Sequence, residues 1–216
     1  MRNTVLPCFV LMLLAACRSD TAVERQNTAA GQEAQQGDRG LATLNPGPRQ
    51  AYAFVVTIND APGPFAVVEG SAQYDVINVQ ECGRILASTG RAGRITSQEP
   101  VALEKISNTE YRGTIHLDRM LDADYYDRGV CHWKFSGAGA MLKATGADGE
   151  TRFLSFIAAD RFIKGEAETR HYADMGYPRE SLDDYADYGE NAPNDFKPEL
   201  RGSLFSATLM GKEARP

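Results

Sequence analysis

From residue 51 onward, apolar and polar side chains alternate with a period of two, the mark of strands with one buried and one solvated face. Residues 52–58 (Tyr-Ala-Phe-Val-Val-Thr-Ile) form such a strand, stopped by Asn59-Asp60 and Pro62-Gly63-Pro64. Residues 65–68 and 72–79 make a second extended run, with Gly70 between them predicting a bulge or bend. Residues 83–99, rich in Gly, Arg, Ser and Thr, read as loop. Residues 101–106 and 111–117 flank Ser107-Asn-Thr-Glu110, a hairpin signature, and residues 130–142 place Trp133 and Phe135 on one face. Gly146-Ala-Asp-Gly149 turns the chain into 151–158. Residues 165–200 lose the alternation, and 203–210 read as a closing strand. Short strands, frequent Gly/Pro turns and scarcely any helical period predict a mostly β domain over residues 51–216. Its expected form is a single antiparallel β-sandwich with a long acidic loop before the last strand.

The first residues pose a different problem. Arg2 precedes an apolar run, Val5 to Leu14, which ends in Leu14-Ala15-Ala16-Cys17. The run is shorter than the roughly 20 residues a bilayer-spanning helix needs, but it suits the apolar part of an export signal. The tetrad resembles the lipobox of bacterial lipoproteins. That resemblance implies a signal peptide over residues 1–16, removed to leave Cys17 as the first residue, with acyl chains on its thiol and amino group. Several chains on one residue make a stable anchor where a single chain does not. Arg18, in place of the Asp that retains such proteins at the inner membrane, implies the outer membrane and a periplasm-facing domain. An ordinary signal peptide that contains a cysteine is the other reading. Residues 17–50 lack aromatic side chains and are dominated by Gln, Ala, Gly, Thr and Asp. They read as a disordered, lipidated tether with a root-mean-square span of about 30 Å.

Charge excludes some partners. Residues 1–16 hold one basic and no acidic side chain, so the 23 basic and 29 acidic residues of the chain become 22 and 29 after cleavage, a net charge of −7. That argues against nucleic acid, which needs a basic face, and leaves membrane contact to the lipid anchor alone. With Cys8 removed and Cys17 acylated, Cys82 and Cys131 remain as a pair, predicted to form a disulfide in an oxidising compartment. Two cysteines far apart with Trp133 close after the second resemble immunoglobulin-like domains. In those domains the tryptophan lies between the cysteines, so only a loose likeness is implied.

Catalytic motifs are missing. The three histidines are His116, His132 and His171; the first two read as half-exposed strand residues. There is no Gly-x-Ser-x-Gly elbow, no His-Glu-x-x-His and no phosphate-binding glycine loop followed by Lys. Asp118, Asp122, Asp124 and Asp127 crowd one stretch, but Tyr126, Asp127 and Trp133 stand where an EF-hand loop needs a ligand, Gly and Glu. The expectation is therefore a non-catalytic protein without a cofactor or metal, this acidic stretch being a solvated loop.

The second acidic stretch, residues 165–200, holds ten acidic and three basic side chains together with Tyr172, Tyr177, Tyr185, Tyr188 and Phe196. Disordered acidic loops are poor in aromatics. Tyrosine concentrates at interface hot spots, and carboxylates around it steer in a basic partner. Tyr172, Tyr177, Asp183, Asp184, Tyr185, Asp187 and Tyr188 are thus candidate partner-binding residues. The competing reading is a loop folded over the sandwich with its tyrosines buried.

Lipobox, small β-rich domain, cysteine pair and acidic surface together resemble bacterial immunity lipoproteins and lipoprotein-type lysozyme inhibitors. The resemblance implies a lipid-anchored periplasmic protein that neutralises a basic antibacterial toxin or cell-wall hydrolase by plugging its cleft. A structural accessory lipoprotein of an envelope or secretion assembly is the alternative.

Overall fold

The computed structural model describes residues 40–214; Cys17, the segment read as signal peptide and most of the tether lie outside them. The described residues group as one unit. The first strands are β1 (Ala51–Asn59) and β2 (Val67–Val76), followed by a helical turn, α1 (Val79–Cys82). Then come β3 (Ile85–Leu86), β4 (Arg91–Ala92), β5 (Thr96–Val101), β6 (Glu104–Lys105) and β7 (Glu110–His116). The second half comprises β8 (Trp133–Lys143), β9 (Arg152–Ala158), α2 (Ala159–Lys164), β10 (Ala167–Ala173), β11 (Ala186–Asp187) and β12 (Leu204–Glu213).

Two five-stranded sheets carry the fold, in the orders β10-β12-β1-β7-β6 and β11-β9-β8-β2-β5; β3 and β4 make a separate two-stranded ribbon. The protein is mostly β with a sandwich-like packing of these sheets, as the alternation predicts. One pair departs from the antiparallel expectation: β11 runs parallel to β9, which makes its sheet mixed.

The core lies between the sheets. Phe54, Val56 and Ile58 of β1 and Phe205, Ala207 and Leu209 of β12 alternate inward, with Phe153 and Ile157 of β9 facing them. Phe65, Phe153, Tyr172 and Phe205 form an aromatic cluster with centroid separations of 5.0–5.9 Å. Such pairs add about 0.5–1.5 kcal/mol each beyond the area they bury. From α2, Phe162 plugs the core beside Phe54 and Phe135.

Several local expectations are corrected. Gly70 sits in plain ladder; the irregularity falls between Gln73 and Tyr74, opposite the extra Ser136 of β8. Residues 83–99 are not all loop, because β5 begins at Thr96; its inward Ser97 and Glu99 are polar, which hides the strand from a hydrophobic pattern. Residues 165–200 are not all loop either, since β10 occupies seven of them. The tether read as running to residue 50 is ordered earlier. Ala42 is buried, Leu44 bridges Met120, and the Asp118 carboxylate accepts the N–H groups of Arg49 (2.8 Å) and Gln50 (3.0 Å).

Cys82 and Cys131 are disulfide-bonded, as expected. The bond does not join the two sheets as in immunoglobulin domains. It ties the turn after β2 to the segment before β8, and those strands are neighbours in one sheet. Val76, Trp133, Tyr125 and Tyr126 pack around it. Among the described residues no helix is long and apolar enough to cross a membrane.

Candidate functional site: an acidic strap across the sandwich edge

The candidate residues fall on a strap, residues 177–190, that leaves β10 of one sheet and crosses to the edge of the other. At its start, Tyr177 packs edge-on against Phe65 (5.4 Å, 90°) and donates its hydroxyl to the Pro64 carbonyl at 2.5 Å. The ring lies so close to Gly63 that a Cβ there would come within 2.6 Å of the hydroxyl. Burial raises the Tyr177 hydroxyl pKa, and the Glu150 carboxylate adds to the rise.

The next turns are tied to the 145–152 stretch. Arg179 donates to the Asp148 carbonyl, the N–H of Glu180 donates to Thr151 Oγ1 (2.8 Å), and Arg152 donates to the Asp184 carbonyl (3.0 Å). The N–H of Arg152 reaches the Tyr185 carbonyl at 2.8 Å, and β11 then pairs Ala186 with Arg152 and Asp187 with Phe153. Asp187 folds its carboxylate onto the N–H of Gly189 (2.8 Å). Gly189 has φ +60°, a conformation that favours glycine. It brings Glu190 beside His171 of β10. The strap thus engages both sheets, and each of these hydrogen bonds has a backbone group on at least one side.

This geometry sorts the seven candidates. Tyr172 belongs to β10 and is fully buried (0 % exposed), its ring between Phe153 and Phe205 and its hydroxyl donated to the Leu154 carbonyl at 2.8 Å. It is a core residue, not a contact residue, and burial pushes its pKa upward. Tyr177 is half-buried and serves to pin the strap. Asp187 is half-buried as well; burial raises its carboxyl above the ordinary range, the nearby Glu180 and Glu190 add to the rise, and the Gly189 N–H opposes it. Asp183, Asp184, Tyr185 and Tyr188 are exposed, Tyr188 by 68 %.

Sequence reasoning missed two exposed residues, one just before the strap and one on it. Met175 and Leu182 are each 65 % exposed and belong to the same stretch. The sequence shows Met175, Leu182, Tyr185 and Tyr188 within fourteen residues amid carboxylates, but that all four are open to water is seen only in the structure. Between residues 180 and 199 seven acidic side chains face one lysine, Lys197, a net −6. Beside the strap, Ile58, Asp60, Gly63, Pro64, Lys105 and Thr109 line an open groove of about 470 Å³.

In the other acidic stretch Asp118, Asp122 and Asp124 are committed separately, and Asp127 is exposed. Asp118 holds Arg49 and Gln50, Asp122 holds the N–H of Trp133 (2.9 Å) and His132 Nδ1 (2.8 Å), and Asp124 accepts the N–H groups of Arg128 and Gly129 at 3.0 Å. Those N–H groups draw the Asp124 carboxyl below its ordinary pKa. Among the described residues no three His, Cys, Asp or Glu side chains converge as metal ligands would.

Compared with models of known protein families, with curated proteins and with solved structures, the chain has no match.

Proposed function

We propose that this is a lipid-anchored envelope protein that captures a basic protein, an antibacterial toxin or cell-wall hydrolase, on the strap formed by residues 177–190. Cys17 carries the acyl anchor in this reading, the domain faces the periplasm, and binding blocks the partner's cleft without any chemistry of its own.

The observation that carries the proposal is the pairing of exposed Leu182, Tyr185 and Tyr188 with a backbone clasped to both sheets. Large side chains held on a fixed frame lose little conformational freedom on binding, so more of their contact energy appears as affinity. Asp183, Asp184 and Glu190 around them attract a basic surface and speed encounter at low salt. Tyr188 and Tyr185 supply the aromatic anchors that dominate alanine scans of interfaces.

The test is a pull-down from envelope extract on immobilised protein, with the captured species identified by mass and assayed on peptidoglycan. Recovery of one basic hydrolase, inhibited on capture by the wild type and released by Tyr185→Ala/Tyr188→Ala, is the expected result. Recovery of a multi-subunit envelope assembly instead assigns the accessory role. Capture that the double variant leaves intact rejects the strap. Intact-mass analysis of protein taken from membranes tests the anchor: the mass of acyl chains on a chain beginning at Cys17 is expected, and an unmodified chain overturns it.

A further inference from the structure

The two ends of the sandwich differ. Tyr177, Pro64 and Asp148 mark the end that carries the strap, near the start of β2 and β9 and the finish of β8. At the opposite end lie the finish of β2, the start of β8, the disulfide and the ribbon β3–β4. The chain joins the domain at this second end. Thr43 accepts the Leu121 N–H through its carbonyl (3.0 Å), and the N–H of Asn45 donates to the Arg119 carbonyl (2.8 Å). Tyr74, one residue short of the Asp75–Lys134 pair, donates its hydroxyl to the His116 carbonyl (2.7 Å), which fixes the two sheets in this alignment. Ten strand residues along β2 separate the ends by about 30 Å.

The ribbon has an unusual surface. Every residue from Arg84 to Arg91 is exposed, including Ile85 (42 %) and Leu86 (44 %). No acidic residue occurs between Glu81 and Glu99, whereas Arg84, Arg91 and Arg94 do. Arg94 is engaged by Asp75 (2.8 Å); Arg84 and Arg91 pair with no carboxylate among the described residues. Of the nearby carboxylates, Asp122 holds His132 and Asp124 holds backbone N–H groups, while Glu81 and Asp127 are exposed. Close by, Ile77 and Val130 are also exposed.

We propose that the ribbon Arg84–Arg91 docks on an anionic lipid surface, seating the domain with its strap pointing away from the membrane. The inference rests on the acyl anchor at Cys17. Residues 18–39 alone separate that cysteine from Gly40, and the domain is joined at the ribbon's own end. Net charge argues the other way, but lipid headgroups respond to charge within about 10 Å, the Debye length near 0.1 M salt. The strap, with most of the negative excess, is about 30 Å distant. Two guanidinium groups beside two aliphatic side chains match the boundary between phosphate headgroups and acyl chains.

The protein extracted from membranes is incorporated into vesicles of phosphatidylcholine alone or with three-tenths phosphatidylglycerol, and amide hydrogen exchange is followed by mass spectrometry. Slower exchange over residues 84–92 on the anionic vesicles only, with residues 177–190 unchanged, is expected. A soluble-side measurement uses Arg84→Gln/Arg91→Gln, whose melting temperature shows that it folds. Exchange protection on anionic vesicles should vanish in it, and its affinity for them should fall about 25-fold, about fivefold per arginine. Equal exchange on both vesicles, or protection that the variant retains, overturns the docking. Failure to float with phosphatidylcholine vesicles overturns the anchor instead, and co-sedimentation of the same protein with anionic vesicles then still decides the ribbon.

Discussion

His171 and Glu190 exchange both backbone hydrogen bonds, at 2.9 and 2.8 Å, although one lies in β10 and the other on the strap pinned to the opposite sheet. This single antiparallel bridge closes a clasp between the sheets. Gly189 sets it up with φ +60°, and a Cβ there would lie 2.6 Å from the His171 carbonyl oxygen. Gly189→Ala is therefore expected to destabilise the protein by about 2 kcal/mol, from left-handed strain plus the clash. Urea denaturation measures it, and faster amide exchange at Glu190 shows that the clasp has opened.

The tyrosines of the acidic stretch should separate cleanly by stability. Tyr172→Ala empties a site between Phe153 and Phe205, at a cost of about 3–5 kcal/mol. Tyr188→Ala, with its ring in water, should stay within about 0.5 kcal/mol of wild type while weakening partner capture. Chemical denaturation of the two variants side by side checks the contrast.

Asp187 gives the strap a pH dependence. Its carboxyl pKa is raised in the folded state by burial and then by Glu180 and Glu190. The folded chain therefore holds this proton at pH values where the unfolded chain has released it, so stability falls as pH rises from the ordinary carboxyl value of 3.8 through the raised one. Asp187→Asn keeps an oxygen for the Gly189 N–H and removes the charge. Its melting temperature at pH 7 should exceed that of wild type, and the difference should shrink toward pH 4.

Removing the disulfide by Cys82→Ala/Cys131→Ala releases a loop with a sequence separation of 49, worth about 4 kcal/mol on the chain-entropy account. The lost protection should concentrate at α1, the ribbon and residues 123–133, leaving β1 and β12 closed. Hydrogen exchange compared residue by residue distinguishes this from uniform loosening.

Strands were legible where one face is buried and the other wet. In β1 and β12 the inward residues are Phe, Val, Ile, Ala and Leu, so the period shows through. It fails in β10, where only Tyr172 is fully buried in an otherwise polar strand, and in α2, six residues too short for a helical period. The disulfide followed from cysteine parity. The interleaving of aromatic and acid singled out residues 165–200, but it could not show that Tyr172 is buried in the β10–β12 ladder, nor that the strap carrying Tyr188 is held by a two-residue parallel pairing and one bridge. Neither contact has a local pattern, because both partners are distant in sequence and meet through backbone.

The sheet orders also decide how this protein avoids sticking to itself. Of the four outermost strands, β6 and β11 are two residues long and give an incoming chain almost nothing to extend. At β5, Pro100 withholds an N–H and Glu99 turns inward, while the rim of β10 is met by Glu190 and by the Arg161 guanidinium on the Ala167 carbonyl. Among the described residues, strand addition at the outer edges of the two large sheets is thus opposed, so copies held close together find no long open edge there on which to polymerise.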